Sequence, residues 1–298
     1  MGSEFKTKIL IDTDFGDDVD DAAALIMALN SPELEIVGIT TVFQDTKKRA
    51  EMVLELCQMY GRSDIPVYAG KSVALIEKTD SEEPPIQYGI LKSYHSEKIK
   101  DNILAAQFMI QMAEKYEDLV IVEMGMMTNL AIAFILNPEI MKHVRIVGMG
   151  GNFTEAIPEW NILCDPEAAR IVMDNSNYLE LFGLEITKHC LISRQQLESH
   201  CQNDRLNYYL KGVHMFQEKL GYNIKFHDVT LITYLIAPEI ARMEKCNYTV
   251  ELSGEYTRAS IVKLVDPYEI DSLTDRDFYY AREFDFDLFF KLVNERLN

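Results

Sequence analysis

Six aspartates fall within ten residues near the start of the chain, at Asp12, Asp14, Asp17, Asp18, Asp20 and Asp21. The apolar run Lys8–Ile11 precedes this cluster and predicts a buried strand, and the run Ala22–Leu29 that follows it predicts a helix. The aspartates therefore occupy a strand-to-helix turn, and in an α/β sheet such turns lie at the edge where ligands bind. Carboxylates this close repel one another unless a cation or protons compensate them. Hard oxygen ligands in this number favour Ca²⁺ or Mg²⁺.

Two other interpretations of the aspartate turn explain less of it. In a solvated acidic turn, Asp20 would cap the following helix, which accounts for one or two aspartates but not for six. An EF-hand loop needs an entering helix and a glycine at its sixth position. Here a strand enters, and Gly16 is fifth when counted from Asp12. The EF-hand interpretation is therefore excluded.

Strand and helix patterns alternate six times along the first two thirds of the chain, which is typical of an α/β fold with a mainly parallel sheet and helices on both faces. The predicted strands are Lys8–Ile11, Leu34–Val42, Ile65–Gly70, Asp118–Met124, Val144–Met149 and Tyr178–Ile186. The predicted helices between them are Ala22–Leu29, Lys47–Tyr60, Asn102–Tyr116, Thr128–Leu136 and Pro166–Met173. The last hundred residues are predicted to form a helical C-terminal part, with two or three strands between Cys246 and Val265.

The chain shows no linker composition and no internal repeat, so residues 6–298 are expected to form a single domain. Residues 1–5 look like a cloning remnant. The polar segment from Lys71 to Ser96 is long for a connection and contains Pro84-Pro85, which predicts a binding loop or a mobile lid.

Composition narrows the compartment and the partners. The formal net charge of −19 argues against binding to nucleic acid backbones or to anionic membranes. Neither an apolar run of transmembrane length nor a signal peptide is visible. The five cysteines are scattered without CxxC spacing, which predicts neither a disulfide framework nor a zinc site. A reducing cytoplasm is therefore the expected location.

Polar residues recur where the predicted strands end and the next helices begin. Because the carboxyl ends of parallel strands meet at one edge of a sheet, most of them are expected to face the aspartate turn. Singly, each is more typical of a helix cap or a solvated loop. They are Asp45, Glu123, Thr128, Asn129, Glu159 and Asn161, with His227 and Asp228 at the start of a late helix.

The aspartate turn and the segments that contain these polar residues resemble sequence motifs of the calcium-dependent nucleoside hydrolases. This family is also called the inosine-uridine-preferring nucleoside N-ribohydrolases. The segment Asp12-Thr13-Asp14-x-Gly16, followed by Asp20-Asp21-Ala22, is similar to the amino-terminal signature of the family. Further matching blocks follow in the family's order: Ile39–Val42, Met124–Ala131, Met149–Gly151, Glu159–Ala169 and His227-Asp228. The resemblance implies a Rossmann-like core and hydrolysis of the N-glycosidic bond of a small-molecule ribonucleoside to free base and ribose, as in nucleoside salvage. It also implies a homodimer or a homotetramer.

The resemblance also implies a role for each matching residue at the metal. Asp14 matches the aspartate that binds Ca²⁺ and acts as general base on the Ca²⁺-bound water, and Asp12 matches its support. The implied further metal ligands are Asp21, Asp228 and the main-chain carbonyl of Met124. This chemistry suits the reaction, because an oxocarbenium-like transition state is attacked by an activated water.

Other matching residues are implied to bind the substrate. Asp20, Glu159 and Asn161 match the residues that hold the ribose hydroxyls, and Asn152 is the only candidate for a 5′-hydroxyl contact. His227 matches a histidine proposed in some members to protonate the leaving base. Asp45 is a further candidate for a ribose or metal contact.

Three departures from the family pattern alter the expected site. Asp17, Asp18 and Val19 separate Gly16 from the aspartate pair, where the commoner pattern has one residue, so Asp18 could replace Asp20 or Asp21 at the metal. The pair Gln44-Asp45 stands where the pattern has Gly-Asn. Residues 71–96 lack the usual His-Gly segment. The base pocket is therefore expected to differ, and the preferred base stays open.

Two other functions share features with this sequence. A metal-dependent phosphohydrolase also carries Asp-x-Asp after a strand. That class also needs a Lys and a Ser or Thr at other strand ends, and no convincing pair is present. A ribonucleoside-binding protein that has kept the metal site and lost catalysis stays open as the alternative.

Overall fold

The computed structural model describes residues 6–77, 83–200, 204–221, 223–264 and 277–297. The strands are β1 (Thr7–Thr13), β2 (Leu34–Thr41), β3 (Val67–Ala69), β4 (Val120–Glu123), β5 (Arg145–Met149), β6 (Tyr178–Phe182), β7 (Leu191–Ile192), β8 (Ile224–Lys225), β9 (Ala241–Lys245), β10 (Tyr248–Val250), β11 (Ile261–Lys263) and β12 (Asp277–Phe284). The α-helices are α1 (Asp20–Leu29), α2 (Thr46–Met59), α3 (Ala105–Lys115), α4 (Thr128–Leu136), α5 (Pro138–Met141), α6 (Trp160–Cys164), α7 (Pro166–Asn175), α8 (Leu184–Thr187), α9 (Arg194–His200), α10 (Asp204–Leu220), α11 (Val229–Ile236) and α12 (Phe286–Arg296). Short 3-10 turns are Tyr88–Ile90, Ser96–Lys98 and Pro238–Ile240.

The central sheet has eight strands in the order β3-β2-β1-β4-β5-β6-β12-β9. Neighbouring strands are parallel except that β9 is antiparallel to β12 at the edge. The chain winds outward from β1 to β3 on one side and then from β4 to β6 on the other. In sheets of this order, ligands bind outside the carboxyl ends of the two central strands, where the winding direction reverses. Those strands are β1 and β4.

Alternate residues of each central strand enter opposite sides of the core. Ile9 and Ile11 of β1 pack in the cluster that includes α1, α2, α11 and α12, whereas Leu10 packs with α3, α4 and α7. This alternation follows from the two-residue period of a strand. It confirms the predicted α/β architecture with helices on both faces. No helix in the described ranges is both long enough and apolar enough to cross a membrane.

The C-terminal part contains helices, as predicted, but it also completes the sheet. β12 and β9 add two strands that the sequence patterns did not predict. The strand expected over Tyr178–Ile186 ends at Phe182, and α8 follows it after Gly183. The strands expected between Cys246 and Val265 are present as the antiparallel pair β10 and β11. Val265 itself lies outside the described residues.

The end of the chain is tied back to its beginning. The Nδ2 of Asn30, just after α1, donates to the carbonyl of Arg296 at 2.8 Å. The guanidinium of Arg296 pairs with Glu33 at 2.7 Å. These contacts link the last helix, α12, to the segment that follows the first helix, α1.

Helix α3 packs closely against the sheet at a glycine of β2. A Cβ added at Gly38 of β2 would overlap the ring of Phe108 on α3. Phe108 is buried and stacks on Tyr68, with ring centroids 4.3 Å apart. Only glycine leaves room for this ring, since both partners are fixed by the core around them.

We expect Gly38→Ala to lower the free energy of unfolding by about 1–3 kcal/mol, because the added methyl group overpacks a rigid contact. Adding Phe108→Leu should recover part of that loss, since the smaller side chain makes room. Chemical denaturation of the single and double variants measures both effects. Strictly additive losses in the double variant would contradict the assigned contact.

Candidate active site

A cavity of about 730 Å³ opens at the carboxyl ends of β1 and β4. The turn between β1 and α1 forms its floor, in the position that the strand order favours. Its polar lining is Asp14, Asp17, Asp18, Asp20, Asp21, Gln44, Glu83, Glu159, Asn161, Lys219, His227 and Asp228. Its other lining residues are Phe43, Pro84, Ile86, Met124, Met149, Trp160, Leu184, Phe216 and Leu220.

Three buried carboxylates meet on this floor. Asp20, Asp21 and Asp228 each offer an oxygen, and these oxygens lie within 4.8 Å of one another. Asp20 and Asp21 occupy the first turn of α1, where the helix dipole favours negative charge. The backbone N–H of Asp228 donates to Asp20 Oδ2 at 2.9 Å, and the Thr13 hydroxyl donates to Asp21. These contacts fix the carboxylates of Asp20 and Asp21 and join the backbone of Asp228 to them.

The electrostatics of this group favour a cation. Burial, followed by the neighbouring like charges, raises the pKa of Asp20, Asp21 and Asp228 well above the ordinary value. Asp14 also faces the cavity, and burial raises its pKa to about 6, although the charge of Arg49 opposes that rise. A divalent cation would compensate these carboxylates, and the all-oxygen donor set fits Ca²⁺ or Mg²⁺.

Asp12 supports the site from beneath the cavity floor. It is fully buried and accepts hydrogen bonds from the Thr40 hydroxyl at 2.6 Å and from Asn129 Nδ2 at 2.9 Å. These contacts join β1 to β2 and to α4, directly before Asp14. Burial raises the pKa of Asp12 to about 7.

Glu159 and Asn161 lie side by side on the cavity wall. Glu159 caps α6, and its carboxylate accepts from the backbone N–H groups of Asn161, Ile162 and Gly151 at 2.9, 3.2 and 3.1 Å. Burial nevertheless raises its pKa to about 7. The Asn161 amide donates to the carbonyl of Met124 at 2.9 Å. A carbonyl oxygen has two lone pairs, so Met124 keeps one for another ligand.

His227 lines the cavity next to Asp228. Its Nδ1 lies 2.8 Å from the Thr187 hydroxyl. Burial lowers the pKa of the imidazole to about 4, so the ring is neutral near pH 7. A neutral ring can donate a hydrogen bond to a leaving group, but it is a poor source of a full proton.

Two predicted substrate residues lie outside the cavity lining. Asp45 caps α2 through the N–H of Lys48 at 3.1 Å and pairs with the Lys48 ammonium at 2.8 Å. Asn152 is buried, and its Oδ1 accepts from Thr154 and from the N–H of Glu155 within its own turn. Both side chains therefore organise local backbone.

The two extra acids of the lengthened aspartate turn, Asp17 and Asp18, make different contacts. Asp18 lines the cavity and accepts from the N–H of Val19 at 2.6 Å. Like Asp14, it lies outside the close group of three. Asp17 pairs with the buried Arg49 at 2.6 Å.

The sequence did not predict the aromatic wall that Phe43 and Trp160 form in the cavity. Phe43 and the neighbouring Gln44 have φ of 72° and 51°, a left-handed backbone that non-glycine residues seldom adopt. Trp160 is 60% exposed and contacts Phe43 edge-on, with ring centroids 6.5 Å apart. Its place between Glu159 and Asn161 was the one sequence signal for this wall.

Comparison with known proteins gives a consistent result. The family model for inosine-uridine preferring nucleoside hydrolases matches residues 9–291. The non-specific ribonucleoside hydrolase RihC of Salmonella paratyphi C is 29% identical over 270 residues, covering 85% of this chain and 86% of that protein. A purine-preferring ribonucleoside hydrolase from Gardnerella vaginalis has a TM-score of 0.85 and 25% identity, over 97% of this chain and 98% of that one. The plant nucleoside hydrolase PpNRh1 has a TM-score of 0.83 and 25% identity, over 98% of both chains.

With divalent cations removed by a chelator, we expect the free energy of unfolding to fall as the pH rises from about 4 to about 7. In the cation-free folded protein the pKa is about 7 for Asp12 and Glu159 and about 6 for Asp14, above their ordinary values of 3.8, 4.5 and 3.8. At these carboxyl groups the folded state binds more protons than the unfolded state across this range, so their contribution to stability decreases with pH. His227, whose pKa is lowered, contributes in the opposite direction, but it is one group against several carboxyl groups. For Asp12 alone the effect is on the order of 4 kcal/mol.

Thermal unfolding at several pH values, with chelator and with excess Ca²⁺, measures this dependence. The cation should raise the midpoint most near pH 7, where the carboxylates are most ionised. A cation-free protein that becomes more stable between pH 5 and pH 7 would contradict the assigned carboxylate cluster.

Proposed function

The chain belongs to the inosine-uridine preferring nucleoside hydrolase family, and on that premise we propose that it hydrolyses the N-glycosidic bond of ribonucleosides to free base and ribose. The observation that carries this proposal is the grouping of Asp14, Asp20, Asp21 and Asp228 with the Glu159–Asn161 pair around one cavity. An acidic floor suits a cation, and the adjoining polar wall suits a sugar. The cavity volume of about 730 Å³ suits a ligand of this size.

We propose that the resident cation is Ca²⁺, held by Asp14, Asp21, Asp228 and the carbonyl of Met124. The burial of Asp21 and Asp228, the hydrogen bond from Thr13 to Asp21 and the second lone pair of the Met124 carbonyl support this assignment. Asp20 lies equally close and is a further oxygen donor at this floor. When bound, the cation supplies a Lewis acid that makes a water molecule easier to deprotonate.

Asp14 is proposed as the general base. It faces the cavity, and in the cation-free protein burial raises its pKa to about 6. A bound cation would favour its ionised form, which is the form that can accept a proton from water. The network around Asp12 fixes the strand that ends directly before Asp14. This rigidity supports the placement of the base, because proton transfer needs a defined position.

Glu159, Asn161 and Asp20 are proposed to hold the ribose hydroxyls. Three backbone N–H groups already orient the Glu159 carboxylate, so little ordering remains when a hydroxyl binds. The Nδ2 of Asn161 already donates to the carbonyls of Met124 and Met149, at 2.9 and 3.2 Å, so its Oδ1 is the atom proposed to accept from a ribose hydroxyl. His227 is proposed to contact the leaving base as a neutral hydrogen-bond donor.

Other features of the proposal rest on the family and on composition. One domain over residues 6–298 is supported by β12, which pairs with β6 inside the central sheet. A homodimer or homotetramer is supported by the family resemblance alone. A cytoplasmic location is supported by the free thiols of Cys57, Cys164 and Cys190.

We expect the protein to release free base from one or more members of a ribonucleoside panel, and Asp14→Asn to reduce that rate by about 10³-fold or more. The isosteric amide cannot accept the proton but keeps the shape of the site. Chromatographic detection of free base, with and without chelator, measures both effects. Asp64→Asn is the matched control, since Asp64 pairs with Arg62 on the surface, away from the cavity.

An Asp14→Asn variant that retains the wild-type rate would contradict the assigned base. Tight ribonucleoside binding without base release, measured by calorimetry, would instead favour the alternative of a nucleoside-binding protein.

We expect Ca²⁺ to bind more tightly than Mg²⁺, because the acidic floor offers several protein oxygens and Mg²⁺ prefers to keep its water ligands. Asp21→Asn should weaken Ca²⁺ binding by about 100-fold or more. Titration calorimetry of the chelator-treated protein measures both affinities. An Asp21→Asn variant with unchanged Ca²⁺ affinity would contradict this ligand set.

A further inference from the structure

One wall of the cavity is a loop segment, Glu83–Lys92, whose residues Glu83, Pro84 and Ile86 line the cavity. This wall segment is attached to the aspartate turn by four hydrogen bonds, the longest of which runs from the side-chain amide of Gln87 to the carbonyl of Asp17 at 3.3 Å. The N–H of Ile86 donates to Asp17 Oδ1 at 3.0 Å, and the N–H of Gln87 donates to the carbonyl of Gly16 at 2.9 Å. The side-chain amide of Gln87 donates to the carbonyl of Asp18 at 2.5 Å.

The far end of the wall segment is attached to α2. The Tyr88 hydroxyl donates to Glu51 at 2.6 Å, and the N–H of Lys92 donates to Glu55 at 2.9 Å. Glu51 and Glu55 lie one turn apart on the same helix and are both buried. The segment is therefore attached at one end to the aspartate turn and at the other to α2.

Arg49 lies at the centre of these attachments. It is fully buried, and its Nε donates to the carbonyl of Phe43 at 2.7 Å. Its Nη1 donates to the carbonyl of Asp14 and, at 3.0 Å, to that of Phe15. One guanidinium thus joins the aspartate turn to the turn after β2. A lysine could not replace it, because a single ammonium lacks the planar fork of donors.

Asp17 completes the connection. Its Oδ2 accepts from Arg49 Nη2 at 2.6 Å while its Oδ1 accepts from Ile86. The carboxylate supplies the counter-charge that a buried guanidinium requires, since an unpaired buried charge is costly. Both oxygens of Asp17 are thereby engaged by the wall segment and by Arg49.

We propose that Asp17 and Arg49 form a positioning pair that fixes the Glu83–Lys92 wall against the aspartate turn and so sets the affinity of the cavity for nucleoside. The lengthened turn supplies the groups that bind this wall, namely the Asp17 carboxylate and the Asp18 carbonyl. The kinetic part of this proposal rests on the proposed hydrolase function, whereas the structural part does not.

Hydrogen exchange of the ligand-free protein tests the structural part. In Asp17→Ala, amides of the wall segment should exchange roughly tenfold faster or more, because Ile86 loses its acceptor and the segment opens more often. Arg49→Lys should also speed this exchange, since it leaves the charge but removes the fork. The control Asp64→Ala removes an exposed ion pair and should leave exchange within about twofold of wild type.

Steady-state kinetics test the affinity part. Asp17→Ala should raise KM by about tenfold and change kcat less than about threefold, because the wall lines the cavity while Asp20, Asp21 and Asp228 keep their own contacts. Arg49→Lys should lower kcat as well, since Arg49 also holds the carbonyl of Asp14. In Asp17→Asn the amide keeps an acceptor for Ile86 but turns a donor toward Arg49, so its KM should fall between wild type and Asp17→Ala.

The outcomes separate the two proposals. Unchanged exchange of residues 83–92 in Asp17→Ala overturns the positioning pair, whatever the kinetics. Faster exchange with an unchanged KM overturns its role in affinity. Faster exchange in a protein that releases no base from any nucleoside overturns the proposed hydrolase function and leaves the positioning pair supported.

Discussion

The organisation of this molecule depends on the crowding of buried carboxylates at the carboxyl ends of two central strands. Asp20, Asp21 and Asp228 lie within one short distance, and Asp14 adds its charge to theirs. Such a group stays ionised only where positive charge or helix dipoles compensate it. The fold provides some of this compensation through the first turn of α1 and through Arg49. The remainder would come from a divalent cation or, in its absence, from protons bound by the carboxylates.

Below the carboxylates, the strand ends and α4 are held together by short contacts that involve the backbone. Asn129 donates to Asp12 and to the carbonyl of Thr41, which ties α4 to β1 and β2. A Cβ at Gly70 would overlap the Asn129 amide and lie 2.5 Å from the Thr41 carbonyl. The glycine therefore allows a third strand end to close against this amide. The position of Asp14 is thus fixed by contacts that never reach the substrate.

The sequence predicted the alternating core of the fold and the acidic floor of the site, because both depend on local patterns. Apolar strands followed by polar residues identify the carboxyl ends of β1, β4 and β5 directly. β12 was not predicted, since Asp277–Phe284 mixes charged and aromatic residues and pairs with a strand about a hundred residues earlier. Asp45 and Asn152 were predicted as substrate contacts, but the structure gives both side chains to local turns. A single sequence cannot distinguish an amide or carboxylate that faces a cavity from one that closes its own turn. The hydrogen bonds that attach the wall segment could not be predicted from the sequence either, because they join residues up to about seventy positions apart.

The lengthened turn shows how an already acidic site accommodates two more acids. Asp17 adds one negative charge, but Arg49 offsets it within the same hydrogen-bonded unit, so the pair adds attachment points without adding net charge. Arg49 in turn would be costly in its fully buried position without Asp17, since the carbonyls that it contacts carry no full charge. The two residues therefore depend on each other, and neither is an ordinary surface ion pair. Asp18 has no such partner at hydrogen-bond distance among the basic residues that the structure describes. Burial raises its pKa, and the hydrogen bond from the Val19 N–H, followed by the more distant charge of Lys225, opposes that rise. It is the acid whose charge most directly enlarges the negative field of the cavity, and it does so beside the Asp20 carboxylate, whose pKa it raises.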